Sequence, residues 1–286
     1  MAILPDGSSL AIKPLNYCKL SKKQFLREMN RLGQLRHPNL VPLLGYCVVE
    51  GEMLLVYKLM SSGTLTSMLK GNPSELDWPT QFRVSFGAAR GLAWLHHGCQ
   101  PHVLHGNICS NAILLDEGFD ARIIDFGLAR LVTSDDMNES SFVNGDLGEF
   151  GNMVPEQRPL DLSNADEGFQ VFLVDWVSQL CSSGRLRDAI DKSLCGRGHD
   201  EEIVQFLRIA CHCVVSRPED RWSMFQVYES LKSIAEEHGF SEQYDEYPLL
   251  FGRQDTNNQT KIWSISLEQF DEYPLLFGRQ DTNNQA

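Results

Sequence analysis

Residues 105–115 read HGNICSNAILL, and residues 122–128 read RIIDFGL. The runs Ile113-Leu114-Leu115 and Arg122-Ile123-Ile124 flank a turn at Asp116–Gly118 and predict two short strands, followed at once by Asp125-Phe126-Gly127. Upstream, Leu4-Pro5-Asp6-Gly7 predicts a hairpin turn into a strand at Ser9–Lys13, with Asp-Gly as the turn signal. Ser21-x-x-Gln24 is a capping-box start for a helix with Phe25, Met29, Leu32 and Leu35 on one face. Two apolar runs, VPLLGYCVV and MLLVYKLM, joined by Glu50-Gly51-Glu52, predict a second hairpin. Beyond Gly63 the period becomes helical. Pro79 sits where a first-turn proline is tolerated, and Phe82, Phe86, Ala89 and Ala93 follow on one helical face. Helical periodicity returns near 169–180 and through 201–237, while polar residues 133–152 predict a long loop.

The chain has 286 residues, 25 Lys plus Arg and 38 Asp plus Glu, for a net charge of −13. That balance argues against nucleic-acid binding, which needs a basic face. Eight cysteines at scattered spacings, with no basic and apolar leader at the start, predict a reduced, cytoplasmic chain. Cys211-His212-Cys213 lacks the second ligand pair of a structural zinc site and is read as buried thiols. No run approaches the roughly 20 apolar residues of a membrane span.

DEYPLLFGRQDTNNQ occurs at 245–259 and again at 271–285. Two copies cannot make a solenoid, so 241–286 is expected to be a disordered tail. Tyr247-Pro248-Leu249-Leu250 and Tyr273-Pro274-Leu275-Leu276 match a loose Tyr-x-x-apolar pattern.

Strands first and helices after, with the 105–127 segment between, resembles the bilobal protein kinase fold. Leu10-Ala11-Ile12-Lys13 resembles the V-A-I-K strand, whose Lys holds the α and β phosphates, and Glu28 resembles its partner on helix C. His37-Pro38-Asn39-Leu40-Val41, Leu54-Leu55-Val56-Tyr57, Asp77-Trp78-Pro79, Ala88-Ala89-Arg90-Gly91-Leu92 and Trp94-Leu95-His96-His97 resemble plant receptor-like kinases. The wording HGNICSNAILLDEGFDARIIDFGLARL is similar to the leucine-rich-repeat receptor-like pseudokinases that interact with the brassinosteroid co-receptor kinase. The resemblance implies an α+β fold. Residues 1–60 would form an incomplete small lobe of antiparallel strands plus helix C, and 61–240 a mainly helical large lobe. Val154-Pro155-Glu156 resembles the segment closing an activation loop, whose Glu pairs with a buried Arg, here Arg221.

Departures from the kinase pattern decide the expected function. Aligned on His105, the catalytic Arg is Gly106, the base Asp is Asn107, the Lys is Cys109 and the metal-binding Asn is Ala112. Asn107 cannot accept a hydroxyl proton as a carboxylate would, a loss of roughly 10²–10⁴ in rate. Ala112 leaves Asp125 to hold any Mg²⁺ by itself, and Asn111 is out of register to replace it. Gly106 removes the Arg that pairs with a phosphorylated loop, although Ser140 and Ser141 remain as acceptors. Set against that family, the glycine-rich phosphate loop is expected to be missing, Tyr57 to narrow the pocket at the gatekeeper position, and an apolar helix F to be skipped after Glu156.

The expected function is therefore a catalytically inactive receptor-like kinase domain that binds the cytoplasmic domain of a partner receptor kinase. Its nucleotide set would be Lys13, Glu28 and Asp125, with no cofactor expected and ATP or Mg²⁺ binding weak at most. Family context would place it on the cytoplasmic face of the plasma membrane. The alternatives are a weakly active Ser/Thr kinase and a truncated product without function.

Overall fold

The computed structural model describes residues 2–3, 9–15, 21–49, 52–71, 76–128, 173–215, 217–239 and 263–265. A small lobe is built on strands β1 (Ala2–Ile3), β2 (Ser9–Pro14), β3 (Leu43–Val49) and β4 (Glu52–Lys58). β1 pairs antiparallel with β2, β2 with β4, and β3 with β4, so both expected hairpins form. Register fixes the site strand: Ala11 lies opposite Tyr57, and Lys13 opposite Leu55.

Helix α1 (Lys22–Leu32) packs on this sheet. The Ser21 side chain accepts the Gln24 N–H, and the Gln24 side chain accepts the Ser21 N–H, completing the capping box. Such a cap is worth about 1 kcal/mol. Phe25, Met29, Leu32 and Leu35 are all buried, as their spacing required. Phe25 meets Tyr46 edge to face, with centroids 5.7 Å apart.

The large lobe is centred on α3 (Trp78–Ala93), which follows the single short helix α2 (Leu65–Lys70). Asp77 caps α3 by accepting the Thr80 N–H at 3.0 Å, with Pro79 in the first turn. Phe82, Phe86, Ala89 and Ala93 are buried against α4 (Leu173–Ser182), α5 (Asp200–Cys213) and α6 (Met224–Glu237). Phe86 lies 5.4 Å from Tyr228 of α6. The periodic stretch 201–237 is thus two helices, broken around Pro218, which cannot continue α5. Ser223 and Gln226 form a second capping box that restarts the chain. β5 (Ile113–Leu115) and β6 (Ala121–Ile123) pair antiparallel over the Asp116 turn.

One correction concerns the tail. Within the segment expected to be disordered, Trp263–Ile265 forms β7, running parallel to β3 at the sheet edge. An uncovered edge presents a row of backbone donors and acceptors, and these three residues pair with it. Loop 133–152, the Glu156 junction and both copies of the repeat lie outside the described residues.

The lobes are joined by Asn39, whose side chain is buried. Its amide donates to the Ala121 carbonyl at 2.9 Å and its oxygen accepts from Arg90 Nε at 2.6 Å. Its backbone carbonyl accepts the Ile123 N–H, and Val41 N–H donates to the Ile123 carbonyl, both at 2.8 Å. A Cβ on Gly87 would fall 2.8 Å from the Asn39 amide, so this close approach demands glycine. His37 stacks on Trp94 beside it, and burial first, then Arg90 and Arg122, lowers its pKa to about 3. Asn39→Ala strips two side-chain hydrogen bonds, one from Arg90 Nε and one to the buried Ala121 carbonyl. The expected cost is about 3 kcal/mol of unfolding free energy. Chemical denaturation measures it; a change below about 0.5 kcal/mol would contradict this account of the lobe junction.

Candidate functional site

β2 carries Lys13 to the junction between lobes, where its ammonium ion-pairs with Asp125, placed just after β6. The Lys13 side chain is 46% exposed and that of Asp125 23%. Asp125 has φ +68°, a left-handed backbone uncommon outside glycine, and strain of this kind clusters at functional positions. Asp125 Oδ2 meets Lys13, whereas Oδ1 is buried with no hydrogen-bond partner among the described residues. Gly127 has φ +75°, and a Cβ there would come within 2.7 Å of Leu32 on α1, so the Asp-Phe-Gly turn presses directly on that helix. Phe126 is buried in the same core.

Glu28 does not meet Lys13. Its Oε2 accepts from Arg31 Nε at 2.9 Å and lies 2.8 Å from Arg31 Nη2, one helical turn away. The expected Lys13–Glu28 pair is therefore replaced by two others, Lys13–Asp125 and Glu28–Arg31. A partner at i+3 is already held beside Glu28 by the helix, and Asp125 competes for Lys13 with a less exposed carboxylate. Tyr57 is buried, and its phenol pKa is raised, chiefly by burial and further by the Asp125 charge.

His105 is buried, with Nε2 at 2.8 Å from the Ile124 carbonyl and Nδ1 facing the Asn107 N–H at 3.3 Å. Burial lowers its pKa, which favours a neutral ring donating from Nε2 and accepting at Nδ1. Gly106 has φ +76°, so glycine suits the backbone here while deleting the charge. Asn107 is exposed and Cys109 half-buried. Ala112 is buried in the turn Ser110–Ala112, and its carbonyl accepts the Ile124 N–H at 3.0 Å. Asn111 is exposed. Arg221 Nε donates to the Val215 carbonyl at 2.8 Å; its expected partner Glu156 lies outside the described residues.

The arrangement sets one carboxylate, Asp125, against one ammonium, Lys13. Position 107 has no carboxylate to take a proton, and position 112 has no amide oxygen for a metal. Among the described residues no group of three His, Cys, Asp or Glu side chains could hold a metal ion.

Sequence reasoning missed Glu202, buried at the start of α5. It accepts from Trp78 Nε1 at 2.8 Å and lies 3.0 Å from His199 Nδ1 and 3.2 Å from His238 Nδ1. That cluster ties α3, α5 and α6 at one end of the large lobe. The visible signal was three acidic residues, 200–202, at a helix start, where carboxylates usually stay in solvent.

A twisted small sheet carrying Lys13, a helix packed behind it, and a His-Gly-Asn loop with Asp-Phe-Gly over a helical lobe define a protein-kinase fold stripped of its catalytic groups. The family model described as protein tyrosine and serine/threonine kinase matches residues 5–146. The chain is 57% identical over 283 residues to a probable inactive receptor kinase of Arabidopsis thaliana, covering 89% of this chain and 47% of that one. It is 56% identical over 278 residues to the inactive LRR receptor-like serine/threonine-protein kinase BIR2 of the same plant, covering 89% and 46%. The solved pseudokinase domain of BIR2, described as an immune regulator of the RLK/Pelle family, superposes with a TM-score of 0.70. Identity there is 53%, over 88% of this chain and 83% of that one. The chain belongs to the protein kinase family, and the two curated relatives just described are named as inactive receptor kinases. It spans about half the length of these curated relatives. No helix among the described residues is long and apolar enough to cross a membrane.

The geometry makes Lys13 answer to Asp125 and not to Glu28. A double-mutant cycle of Lys13→Met with Asp125→Asn should give a coupling of about 0.5–1 kcal/mol, kept small by the exposure of Lys13. Lys13→Met with Glu28→Gln should give none. A larger coupling in the second cycle would reverse the assignment.

Proposed function

We propose that this chain is a catalytically inert kinase domain that acts by binding the cytoplasmic kinase domain of a partner receptor. The observation that carries the reading is the Lys13–Asp125 ion pair at the lobe junction, beside a loop whose base and second metal ligand are Asn107 and Ala112. Phosphoryl transfer depends on positioning and on charges aimed at the phosphates. Here the remaining two charges neutralise each other, and any nucleotide must break that pair before it can be held. Mg²⁺ commonly takes one or two carboxylates together with phosphate oxygens. Asp125 alone, with Oδ2 against Lys13, fits such an ion poorly, so ATP and Mg²⁺ binding is weak at most.

What remains is a shape. The lobes, joined through Asn39, present kinase-like faces that need no chemistry to occupy a partner's docking surface. Relatives named as inactive receptor kinases, and the description of BIR2 as an immune regulator, support a signalling role of this kind. Family context supports a place at the cytoplasmic face of the plasma membrane.

Pull-down with a receptor co-kinase cytoplasmic domain, alongside a thermal melt of each variant, tests the proposal. Asn107→Ala should bind as the parent does, because the loop has no chemical task. Arg221→Ala should lose binding together with its cooperative melt, by loosening the α5–α6 connection. Loss of binding by a folded Asn107→Ala protein would show that the loop itself is functional and would sink the scaffold reading.

A further inference from the structure

The β3 edge of the small-lobe sheet is taken by this chain's own C-terminal segment. Gly45 lies opposite Trp263, Tyr46 opposite Ser264 and Cys47 opposite Ile265, all in parallel register. β3 lies between β4 and β7, so these three residues cover a side of β3 that β4 does not. The pairing starts where the β3–β4 register shifts, between Leu43 and Gly45. Irregularities of this kind recur at sheet edges, where they weaken the existing ladder. In sequence, the strand lies in the unique stretch between the two copies of DEYPLLFGRQDTNNQ.

We infer that this edge is a strand-acceptor site whose resident occupant is Trp263–Ile265 in cis. Backbone pairing at an open edge gives affinity with little demand on side-chain identity. The site therefore takes an extended peptide running parallel to β3, and a segment from another protein can enter only by displacing β7.

Occupancy also reaches helix α1. Tyr46, at the middle of the paired stretch, donates its hydroxyl to Asn30 Oδ1 at 3.4 Å and packs edge-on to Phe25. Both partners lie on α1, the helix that carries the Glu28–Arg31 pair and receives Gly127 against Leu32. Covering the edge braces β3, and β3 braces α1. The tail is thus a latch on the small lobe, independent of whether the domain binds a partner receptor.

Hydrogen exchange on the full chain tests the latch. Ser264→Pro removes a backbone N–H from the middle of β7, and its ring holds φ near −65°, away from the roughly −120° of a parallel strand. Edge-facing amides within Gly45–Val48 should lose roughly tenfold or more of their protection, while β4 amides at Leu54–Tyr57 keep theirs. Asn258→Pro, outside β7, should leave both unchanged. A synthetic peptide of residues 260–268, added to the Ser264→Pro chain, should restore protection at β3. Unchanged β3 exchange in Ser264→Pro would overturn the inference. So would a general loss across β4, which would mark a global effect. Wild-type protection that rises with protein concentration would place the strand between copies and overturn the assignment in cis.

Discussion

Asn39 is the residue on which the two-lobed arrangement turns. A buried amide that met only apolar neighbours would destabilise the fold by several kcal/mol. Here it is matched on both ends, donating to Ala121 and accepting from Arg90, while its backbone carbonyl takes the Ile123 N–H. Those contacts fix the segment after α1 against β6 and against α3. β6 then delivers Asp125 within two residues, and α3 supplies the floor of the large lobe. Because α1 and the Asp-Phe-Gly turn share the core of Phe25, Met29, Leu32 and Phe126, the small lobe cannot move far without disturbing the site.

The site is best understood as a frame from which charge has been subtracted. His105 keeps its place through the Ile124 carbonyl, and the backbone of Ala112 still receives Ile124. Neither bond needs the catalytic groups. Asn107 and Ala112 therefore stand in a loop whose backbone contacts do not depend on them, and they offer neither a carboxylate proton acceptor nor an amide metal ligand. Lys13 and Asp125 pair with each other. Among the described residues the Oδ1 of Asp125 is buried without a hydrogen-bond partner, on a left-handed backbone. Glu28, no longer opposite Lys13, is retained by its own helix through Arg31.

Much of this was legible from residue order. The capping box at Ser21–Gln24, the buried stripe of α1, both hairpins and the buried face of α3 followed from periodicity and turn chemistry, because these are local. Long-range polar pairing was not. Asn39 stood out only within the motif His37-Pro38-Asn39-Leu40-Val41, which does not reveal that Ala121 and Arg90 receive it. Lys13 was expected to meet Glu28, and only packing placed Asp125 against it. The Glu28–Arg31 pair, by contrast, was visible as an i,i+3 spacing and could have warned against the Lys13–Glu28 assignment. The Ser223–Gln226 capping box would likewise have divided 201–237 into two helices. β7 escaped because three residues inside a polar tail carry too little pattern to outweigh their surroundings.

The central claim is that a kinase frame has been kept while its chemistry has been lost. Transfer of labelled γ-phosphate from ATP in the presence of Mg²⁺, to itself and to a general protein substrate, tests it most directly. The account predicts incorporation indistinguishable from that of a Lys13→Met control. It also predicts no gain when Asn107→Asp and Ala112→Asn are combined, because Lys13 and Asp125 still hold each other. Mg²⁺-dependent incorporation by the parent chain that Asp125→Ala abolishes would contradict it.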